Sequence, residues 1–436
     1  MKIKMPAQAA KVIQTLEQHG FEAYIVGGCV RDSILGRTPG DWDITTSASP
    51  QEVKEIFDHT VDTGIEHGTV TVLMNHEPYE VTTYRVDGKY EDHRRPNEVH
   101  FTKSLKEDLL RRDFTINAMA YNRERGLVDA FGGQKDLEHG VIRCVGAARE
   151  RFTEDALRIL RAIRFSAQLG FAVEETTYEA IKDIAPNLVH VSRERVQVEL
   201  TKLLTSPLPG CMRLVYETGI SPWVSKAFHR IPEVSGDVCF EIPPSIPARK
   251  SLRWAAFMRK CTPKEAAEVL KGLKLDNDTI YRTKLLVQWI GTSVCGEPAA
   301  DALEPAEALA ERFKSELRGQ LLAKKAQIRR VMSQMEPELF DDLLTLKMCL
   351  SEDASDDRES QWLCQVRDLT EEIRSNRDCI SLKTLAVSGH DIMGAGVKPG
   401  REVGNTLTRL LDMVLEEPQR NTKEYLLAHL GQSAEK

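Results

Sequence analysis

The sequence predicts an α+β protein in which an N-terminal part with a mixed sheet is followed by an all-helical remainder. Between residues 20 and 145, short β-branched runs such as HGTVTVLM alternate with turn signals and short helical patterns. After about residue 150 the strand patterns stop, and TEDALRILRAIRFSAQLGF carries apolar residues at helical spacing. The 436 residues are enough for two to four domains with cores of their own.

Individual elements can be predicted within the first part. DWDITT predicts a strand, and SPQEVKEIFDH predicts a helix with Ser49 as its N-cap and Pro50 at its first position. The stretch SLKEDLLRRDFTINAMAYN has a helix-like pattern throughout. These elements predict helices packed on a mostly antiparallel or mixed sheet.

We divide the chain into four parts. They are a head (residues 1–145), a helical neck (146–228), a helical body (229–365) and a helical tail (366–436). The segment at 229–249 is rich in proline and is interpreted as a linker, which sets the start of the body.

Composition and charge restrict the class of protein. The net charge of −7 argues against a general nucleic-acid coat protein, although a local basic groove remains compatible with it. No apolar run is long enough to span a membrane, and the N-terminus has the pattern of an amphipathic helix, not a signal peptide. Nine cysteines without a CxxC pair indicate reduced thiols. We therefore predict a cytoplasmic protein without a membrane partner.

The segment GGCVRDSILGRTPGDWDITT carries the clearest chemical signal. Gly27 and Gly28 end a predicted strand, where the lack of a side chain lets the backbone approach a phosphate. Asp41 and Asp43 are two residues apart on the next predicted strand, so both side chains are expected on one face. Two neighbouring carboxylates repel each other unless cations lie between them, and a pair of Mg²⁺ ions would satisfy both.

These motifs resemble those of class II tRNA CCA-adding enzymes and bacterial poly(A) polymerases, which belong to the DNA polymerase β superfamily. The resemblance covers roughly residues 20–205 and continues in order through RRDFTINAMA, DAFGGQKDLEHGVIRCVG, RFTEDALRILRAIRF and SRERVQVEL. It implies a polymerase-β-like nucleotidyltransferase head, and a neck, body and tail that are all helical. It also implies Mg²⁺-dependent, template-independent addition of nucleotides from CTP and ATP to tRNA, with Asp41 and Asp43 as catalytic metal ligands.

The resemblance also implies a set of nucleotide contacts. Arginine suits the triphosphate because its planar fork can donate two hydrogen bonds at once. In RRDFTINA, the pair Arg111 and Arg112 and the following Asp113 would lie near the triphosphate and sugar. The full implied set is Gly28, Arg31, Arg111, Asp113, Asn117, Asp155, Arg158, Arg161 and Arg164.

Asp155 and Arg158 would select the base. Three residues apart on a predicted helix, they share a face. In the family the matching pair reads the incoming base: the carboxylate accepts from the amino group of cytosine or adenine, and the guanidinium donates to a ring nitrogen. Guanine and uracil present a carbonyl instead, which the carboxylate repels. We expect Glu154 to orient Arg158 and not to contact the base.

Two further assignments concern the head. DGKYEDHRRPNEV resembles the flexible loop that couples catalysis to the switch from CTP to ATP, which places Asp92, Arg94 and Arg95 in that loop. Glu80, on the predicted strand YEVTT, is interpreted either as a third carboxylate or as an ordinary strand glutamate.

Several functions remain open at this point. The preferred one is CCA addition to tRNA; the alternatives are an A-adding enzyme, a poly(A) polymerase, or an inactive RNA-binding protein on the same scaffold. Many relatives carry a phosphohydrolase domain with His-Asp metal ligands, but here the one His-Asp dipeptide is His390-Asp391, and Asp391 is expected to cap a helix. The sequence leaves the oligomeric state open.

Overall fold

The structure is a computed structural model that describes residues 2–88, 99–291, 309–353 and 357–430. It divides into two compact units, of which the first contains Met1–Phe240 and Glu268–Leu275, and the second contains Glu241–Ala267 and Asp276–Lys436. The boundary near residue 240 falls inside the predicted linker, but residues before it form short helices. The finer division into head, neck, body and tail stays a prediction.

The first unit contains a seven-stranded mixed sheet, which confirms the predicted fold class. The strands in chain order are β1 (Ala23–Val26), β2 (Ile44–Thr46), β3 (Thr60–Gly64), β4 (Thr69–Met74), β5 (Glu77–Thr83), β6 (Arg85–Asp87), β7 (Val99–Phe101), β8 (Met119–Asn122), β9 (Gly126–Asp129), β10 (Val141–Ile142) and β11 (Ala172–Val173). Their order in the large sheet is β3-β4-β5-β2-β1-β8-β9, with β2 and β5 parallel and the other neighbours antiparallel.

Short helices cover the sheet and continue beyond it. They are α1 (Ala7–Gln18), α2 (Gly28–Ile34), α3 (Pro50–Ile56), α4 (Leu105–Leu110), α5 (Gly133–His139), α6 (Ala148–Glu154), α7 (Leu157–Leu169), α8 (Glu175–Ile184), α9 (Arg193–Leu204), α10 (Met212–Glu217), α11 (Ser221–Val224), α12 (Lys226–His229) and α13 (Ile231–Ser235). Helix α3 begins as predicted, because Ser49 and Glu52 form a reciprocal capping box. Helix α7 ends where Gly170 adopts the left-handed conformation.

The described chain after residue 240 is helical. Its helices are α14 (Lys250–Phe257), α15 (Pro263–Gly272), α16 (Asn277–Ile290), α17 (Leu309–Ser333), α18 (Pro337–Asp353), α19 (Asp357–Ser375), α20 (Gly389–Gly394), α21 (Arg401–Glu416) and α22 (Lys423–Ala428). Asp391 forms a capping box with Ser388 at the start of α20, which confirms its predicted role as a cap. None of the helices in the described ranges is long and apolar enough to cross a membrane.

The prediction of a strand across DWDITT is wrong for its first half, because β2 begins only at Ile44. Asp43 still accepts a backbone hydrogen bond from Val26, at 3.0 Å. Before Asp43 this pairing stops, since β1 ends at Val26 and Gly27 turns the chain into α2 with a φ of 81°. Asp41 therefore lies on an extended approach to the strand and not within it.

The prediction of one continuous helix from residue 104 to 122 is also wrong. Helix α4 ends at Leu110, a short 3₁₀ turn spans Thr115–Asn117, and Met119–Asn122 form β8. All four residues of β8 are buried, and the strand pairs with β1 in the middle of the sheet. Pairing with a distant strand overrides the local helical pattern, because it satisfies the backbone and buries the side chains together.

Candidate active site

Three carboxylates lie at the point where β2 enters the sheet. Ile44 pairs with Val81 in the parallel register, so the preceding residues Asp43 and Glu80 are neighbours on the same face. Asp41, Asp43 and Glu80 all line one cavity of about 570 Å³. The structure thus brings together the two predicted metal ligands and the candidate third carboxylate.

The electrostatics of this cavity suit a cation. Burial, followed by the charge of Asp41, raises the pKa of Asp43 to about 6; Arg112 opposes this rise and Glu80 adds to it. Hard carboxylate oxygens are the ligands that Mg²⁺ prefers. In the described part of the chain, however, no three His, Cys, Asp or Glu side chains are grouped closely enough to hold a metal by themselves. Oxygen atoms of a substrate would have to complete the coordination.

The glycine turn brings backbone and an arginine close to these carboxylates. A Cβ atom on Gly27 would lie 3.0 Å from Nη1 of Arg112, and the positive φ of Gly27 also disfavours any other residue. Helix α2 starts at Gly28 with no side chain capping it. The missing side chain of Gly27 thus admits Arg112 beside the backbone, and the predicted phosphate contact of Gly28 stays a prediction.

Both neighbouring arginines pair with the buried Asp108, Arg112 at 3.7 Å, but of the two only Arg112 also lowers the pKa of Asp43. Arg111 donates through Nε and Nη2 to the buried Asp108, at 2.9 and 2.7 Å. Although burial alone would raise the pKa of Asp108, Arg111 and Arg112 lower it below its usual value. The Nε atom of Arg112 is buried, and no hydrogen-bond partner for it is found within the described residues. The predicted nucleotide contact of Arg111 stays a prediction, and the geometry favours Arg112.

Four predicted nucleotide residues are joined in one buried network. Arg161 donates to Oδ2 of Asp113 through Nε and Nη2, at 2.8 and 2.6 Å. Asn117 donates to the other oxygen of Asp113 and accepts from Nη1 of Arg31, at 3.2 and 2.7 Å. Burial raises the pKa of Asp113, but Arg161 and then Arg158 bring it down to about 2. Both oxygens of Asp113 have protein partners, so it holds Arg161 in place, and its predicted contact with a nucleotide stays a prediction.

Arg164 has a buried acidic partner that sequence reasoning missed. Its Nε atom lies 2.9 Å from Oε2 of Glu199, and both side chains are less than 9% exposed. The angles do not meet those of a hydrogen bond, so the contact is an ion pair. Burial lowers the pKa of Arg164 to about 10. The sequence did contain a signal for this partner. Glu199 lies at helical spacing from Val196 and Leu203 and next to Leu200, on the side of α9 that is buried.

Asp155 and Arg158 do not lie on one helix as predicted. Helix α6 ends at Glu154, Asp155 has an extended conformation, and α7 begins at Leu157. The Asp155 carboxylate accepts from the backbone N–H of Leu157 at 3.1 Å, which caps α7 in place of a normal N-cap residue. The helix breaks at Asp155 because its carboxylate accepts a backbone hydrogen bond, and such a bond competes with the hydrogen bonds of a continuous helix.

Each member of this pair has its own partner. Arg195, which the sequence analysis did not identify, donates to Oδ2 of Asp155 at 2.8 Å. Arg158 donates to Glu154 at 3.0 Å, the orientation expected for Glu154, and to the backbone oxygen of Arg111 at 3.0 Å. The hydrogen bond from Arg158 to the backbone oxygen of Arg111 connects α7 to the segment that carries Arg112.

Residues 89–98 of the predicted flexible loop, including Asp92, Arg94 and Arg95, lie outside the described residues. The strands on either side of it are described. β6 and β7 pair as an antiparallel ribbon, with Val86 opposite His100.

Known proteins are similar to this chain over its whole length. A family model described as the poly A polymerase head domain matches residues 23–143, and one described as a probable RNA and SrmB-binding site of polymerase A matches residues 170–229. The CCA-adding enzyme of Bacillus licheniformis is 38% identical over 426 residues, which cover 96% of each chain. That of Geobacillus kaustophilus is 45% identical over 274 residues, covering 63% of this chain and 67% of its own.

A solved structure agrees with these similarities. The CCA-adding enzyme of Bacillus stearothermophilus, crystallised with CTP, superimposes with a TM-score of 0.73 at 31% identity, covering 98% of this chain and 97% of its own. The head fold and the carboxylate pair thus define a nucleotidyltransferase. The full-length identity is more specific: the chain belongs to the family of CCA-adding enzymes.

Proposed function

We propose that this protein adds the sequence CCA to the 3′ end of tRNA, using CTP and ATP without a nucleic-acid template, in the cytoplasm. One observation carries the proposal. Asp41 and Asp43 line a cavity, and Arg112 faces them from the segment that Arg158 ties to α7. Carboxylates for metal and arginines for polyphosphate are the groups that nucleotidyl transfer requires.

We assign Asp41 and Asp43 to two Mg²⁺ ions, with Glu80 as a neighbouring third carboxylate. When bound, the ions would supply activation of the tRNA 3′-hydroxyl and neutralise charge on the triphosphate and the departing pyrophosphate. Triphosphate oxygens and water would complete the oxygen ligands that the carboxylates do not supply. Metal and nucleotide would therefore bind more tightly together than either does alone.

The arginines would bind and orient the nucleotide. We assign Arg112 and the start of α2 to the triphosphate, with Arg31 and Arg161 held in place by Asn117 and Asp113. Residues 229–436 are assigned to tRNA, which such a body and tail would recognise by shape and phosphate contacts.

Asp155 and Arg158 would select the base. Their separate anchors support this role, because a readout group must be held rigidly to reject a wrong base. Arg195 would hold the Asp155 carboxylate in position, so that it accepts from an amino group and repels a carbonyl. Glu154 would do the same for the Arg158 guanidinium.

We expect Asp155→Asn to relax nucleotide choice. The amide can still accept from the N–H of Leu157, but it no longer repels a carbonyl selectively. The ratio of kcat/KM for CTP to that for UTP should fall about 10- to 100-fold, as a lost bidentate readout of 1–3 kcal/mol requires. Arg158→Lys should act in the same direction because it loses the planar fork.

Single-nucleotide addition to a defined tRNA measures this ratio. Glu179→Gln, which alters an exposed ion pair with Lys182 in the same unit, is the matched control and should leave the ratio unchanged. If Asp155→Asn rejects UTP as firmly as the parent protein does, the carboxylate is not the selector.

Three tRNA transcripts test the overall proposal. They end at the discriminator base, at C and at CC, and each is incubated with Mg²⁺ and CTP, ATP or both. We expect every transcript to be completed to CCA when both nucleotides are present. Addition of A to the CC-ending transcript alone would indicate an A-adding enzyme, and long A tails a poly(A) polymerase. No addition on any transcript would indicate an inactive RNA-binding scaffold.

A further inference from the structure

Three of the proposed nucleotide arginines converge on one aromatic ring. Phe165, on α7, is 6% exposed. The Cζ atom of Arg164 lies 4.1 Å from its ring centroid, that of Arg31 5.2 Å and that of Arg161 5.4 Å. All three distances lie within the range of a cation–π interaction, in which a guanidinium is attracted to the ring quadrupole.

Carboxylates hold these arginines at other points. Arg31 donates through Nε and Nη2 to its neighbour Asp32, at 2.9 and 3.0 Å. The corresponding acids are Asp113 for Arg161 and Glu199 for Arg164. In each case the carboxylate contacts the edge of the guanidinium and leaves its face uncovered. A ring placed against that face adds a contact that the carboxylate cannot supply.

The ring itself is fixed. Phe114 packs against it edge-on, with centroids 5.8 Å apart and planes at 81°. Phe114 is fully buried and directly follows Asp113. Phe165 is therefore the point at which α2, α7 and the RRDFTINA segment meet, although these three elements are far apart in sequence.

We propose that Phe165 is a positioning residue for nucleotide binding, whose ring holds Arg31, Arg161 and Arg164 in the orientation that meets the nucleoside triphosphate. The inference rests on the proposed function. Three guanidinium groups in one place repel each other, and the ring offers each of them an attractive surface that an aliphatic side chain of similar volume lacks. The quadrupole of Phe165, and not only its bulk, then contributes to affinity for CTP and ATP.

Fluorinated phenylalanines at position 165 separate the quadrupole from the bulk. Mono-, di- and trifluorophenylalanine keep the shape of the ring almost unchanged while they withdraw charge from its face. We expect the Kd for CTP, measured by titration in the presence of Mg²⁺, to rise stepwise along the series, by about tenfold in total. The kcat at saturating CTP should change little, because a positioning effect of this kind acts on binding.

The same series at Phe152 is the matched control. Phe152 is also fully buried in the first unit, and no arginine is found stacked on it in the part of the chain that the structure describes. Its series should leave the Kd for CTP unchanged. A constant Kd across the Phe165 series, or a rise matched at Phe152, would overturn the inference while CCA addition by the parent protein still supports the proposed function. A parent protein that binds neither CTP nor ATP would overturn both.

Discussion

Asp43→Asn should reduce nucleotide addition by at least about 10³-fold, and Asp41→Asn should do the same. An amide is a much weaker ligand for Mg²⁺ than a carboxylate, and the metal contribution to such a reaction is several kcal/mol, at 1.4 kcal/mol per factor of ten. Incorporation of CTP into a tRNA that ends at the discriminator base measures the rate. Asp62→Asn is the control and should keep full activity. Asp62 is an exposed residue of the edge strand β3 and pairs with Lys54 of α3.

Asp43→Asn should not weaken the fold. The Asp43 carboxyl has a pKa of about 6 in the folded chain, against a usual value of 3.8, because it is buried beside Asp41. The folded state thus binds this proton more tightly than the unfolded state. The contribution of Asp43 to stability falls as the pH rises from about 4 to about 6, and above that the ionised group is destabilising.

At neutral pH without metal, Asp43→Asn should therefore be as stable as the parent protein or more stable. Mg²⁺ together with CTP should raise the unfolding midpoint of the parent protein but not that of the variant. A variant that is fully active, or one that is inactive because it is unfolded, would contradict the assignment of Asp43 as a metal ligand.

Asp113→Asn should lower the free energy of unfolding by about 3 kcal/mol at neutral pH. The substitution removes the carboxylate that accepts two hydrogen bonds from Arg161, whose side chain is one-third exposed, and breaking a buried pair typically costs 3–5 kcal/mol. The folded pKa of about 2 supports this magnitude, since the shift from 3.8 corresponds to about 2–3 kcal/mol. Urea unfolding of both proteins measures the difference.

The difference should depend on pH in a defined direction. Because the pKa of Asp113 is lowered in the folded state, its stabilisation is complete above about pH 4 and is lost as the pH falls towards about 2. The stabilities of the parent protein and Asp113→Asn should accordingly converge in acid. Asp183→Asn, which breaks an exposed pair with Arg149 in the same unit, should show little difference at any pH. A gap that is equally wide at pH 7 and in acid would show that the ion pair is not its cause.

Local patterns predicted much of the architecture, because they depend on neighbouring residues. Ser49 with Glu52, and Ser388 with Asp391, are caps whose partners lie three residues away, so both could be identified directly. The β-branched runs that became β4 and β5 were equally clear. The two-residue spacing of Asp41 and Asp43 indicated a carboxylate pair even though the strand assigned to them was too long.

Where local patterns failed, a distant partner decided the outcome. Met119–Asn122 has a helix-like pattern, but β1 offers it a place in the sheet, and the residues pair there. Asp155 has helical neighbours, yet Arg195 and the N–H of Leu157 hold it in a break. The partners β1 and Arg195 are distant in sequence, so no local pattern records their proximity to these residues.

The sequence by itself determined the fold class, the family motifs and the residue types of the site. Tertiary structure alone decided that the buried Asp108 pairs with both adjacent arginines, and that Arg112, the more distant of the two at 3.7 Å, also interacts with the charge of Asp43. It also decided that arginines from α2 and α7 share the ring of Phe165. The physical reason is the same in both cases: charged side chains that lose contact with water must find partners inside the fold, and only the packed chain determines which partners are within reach.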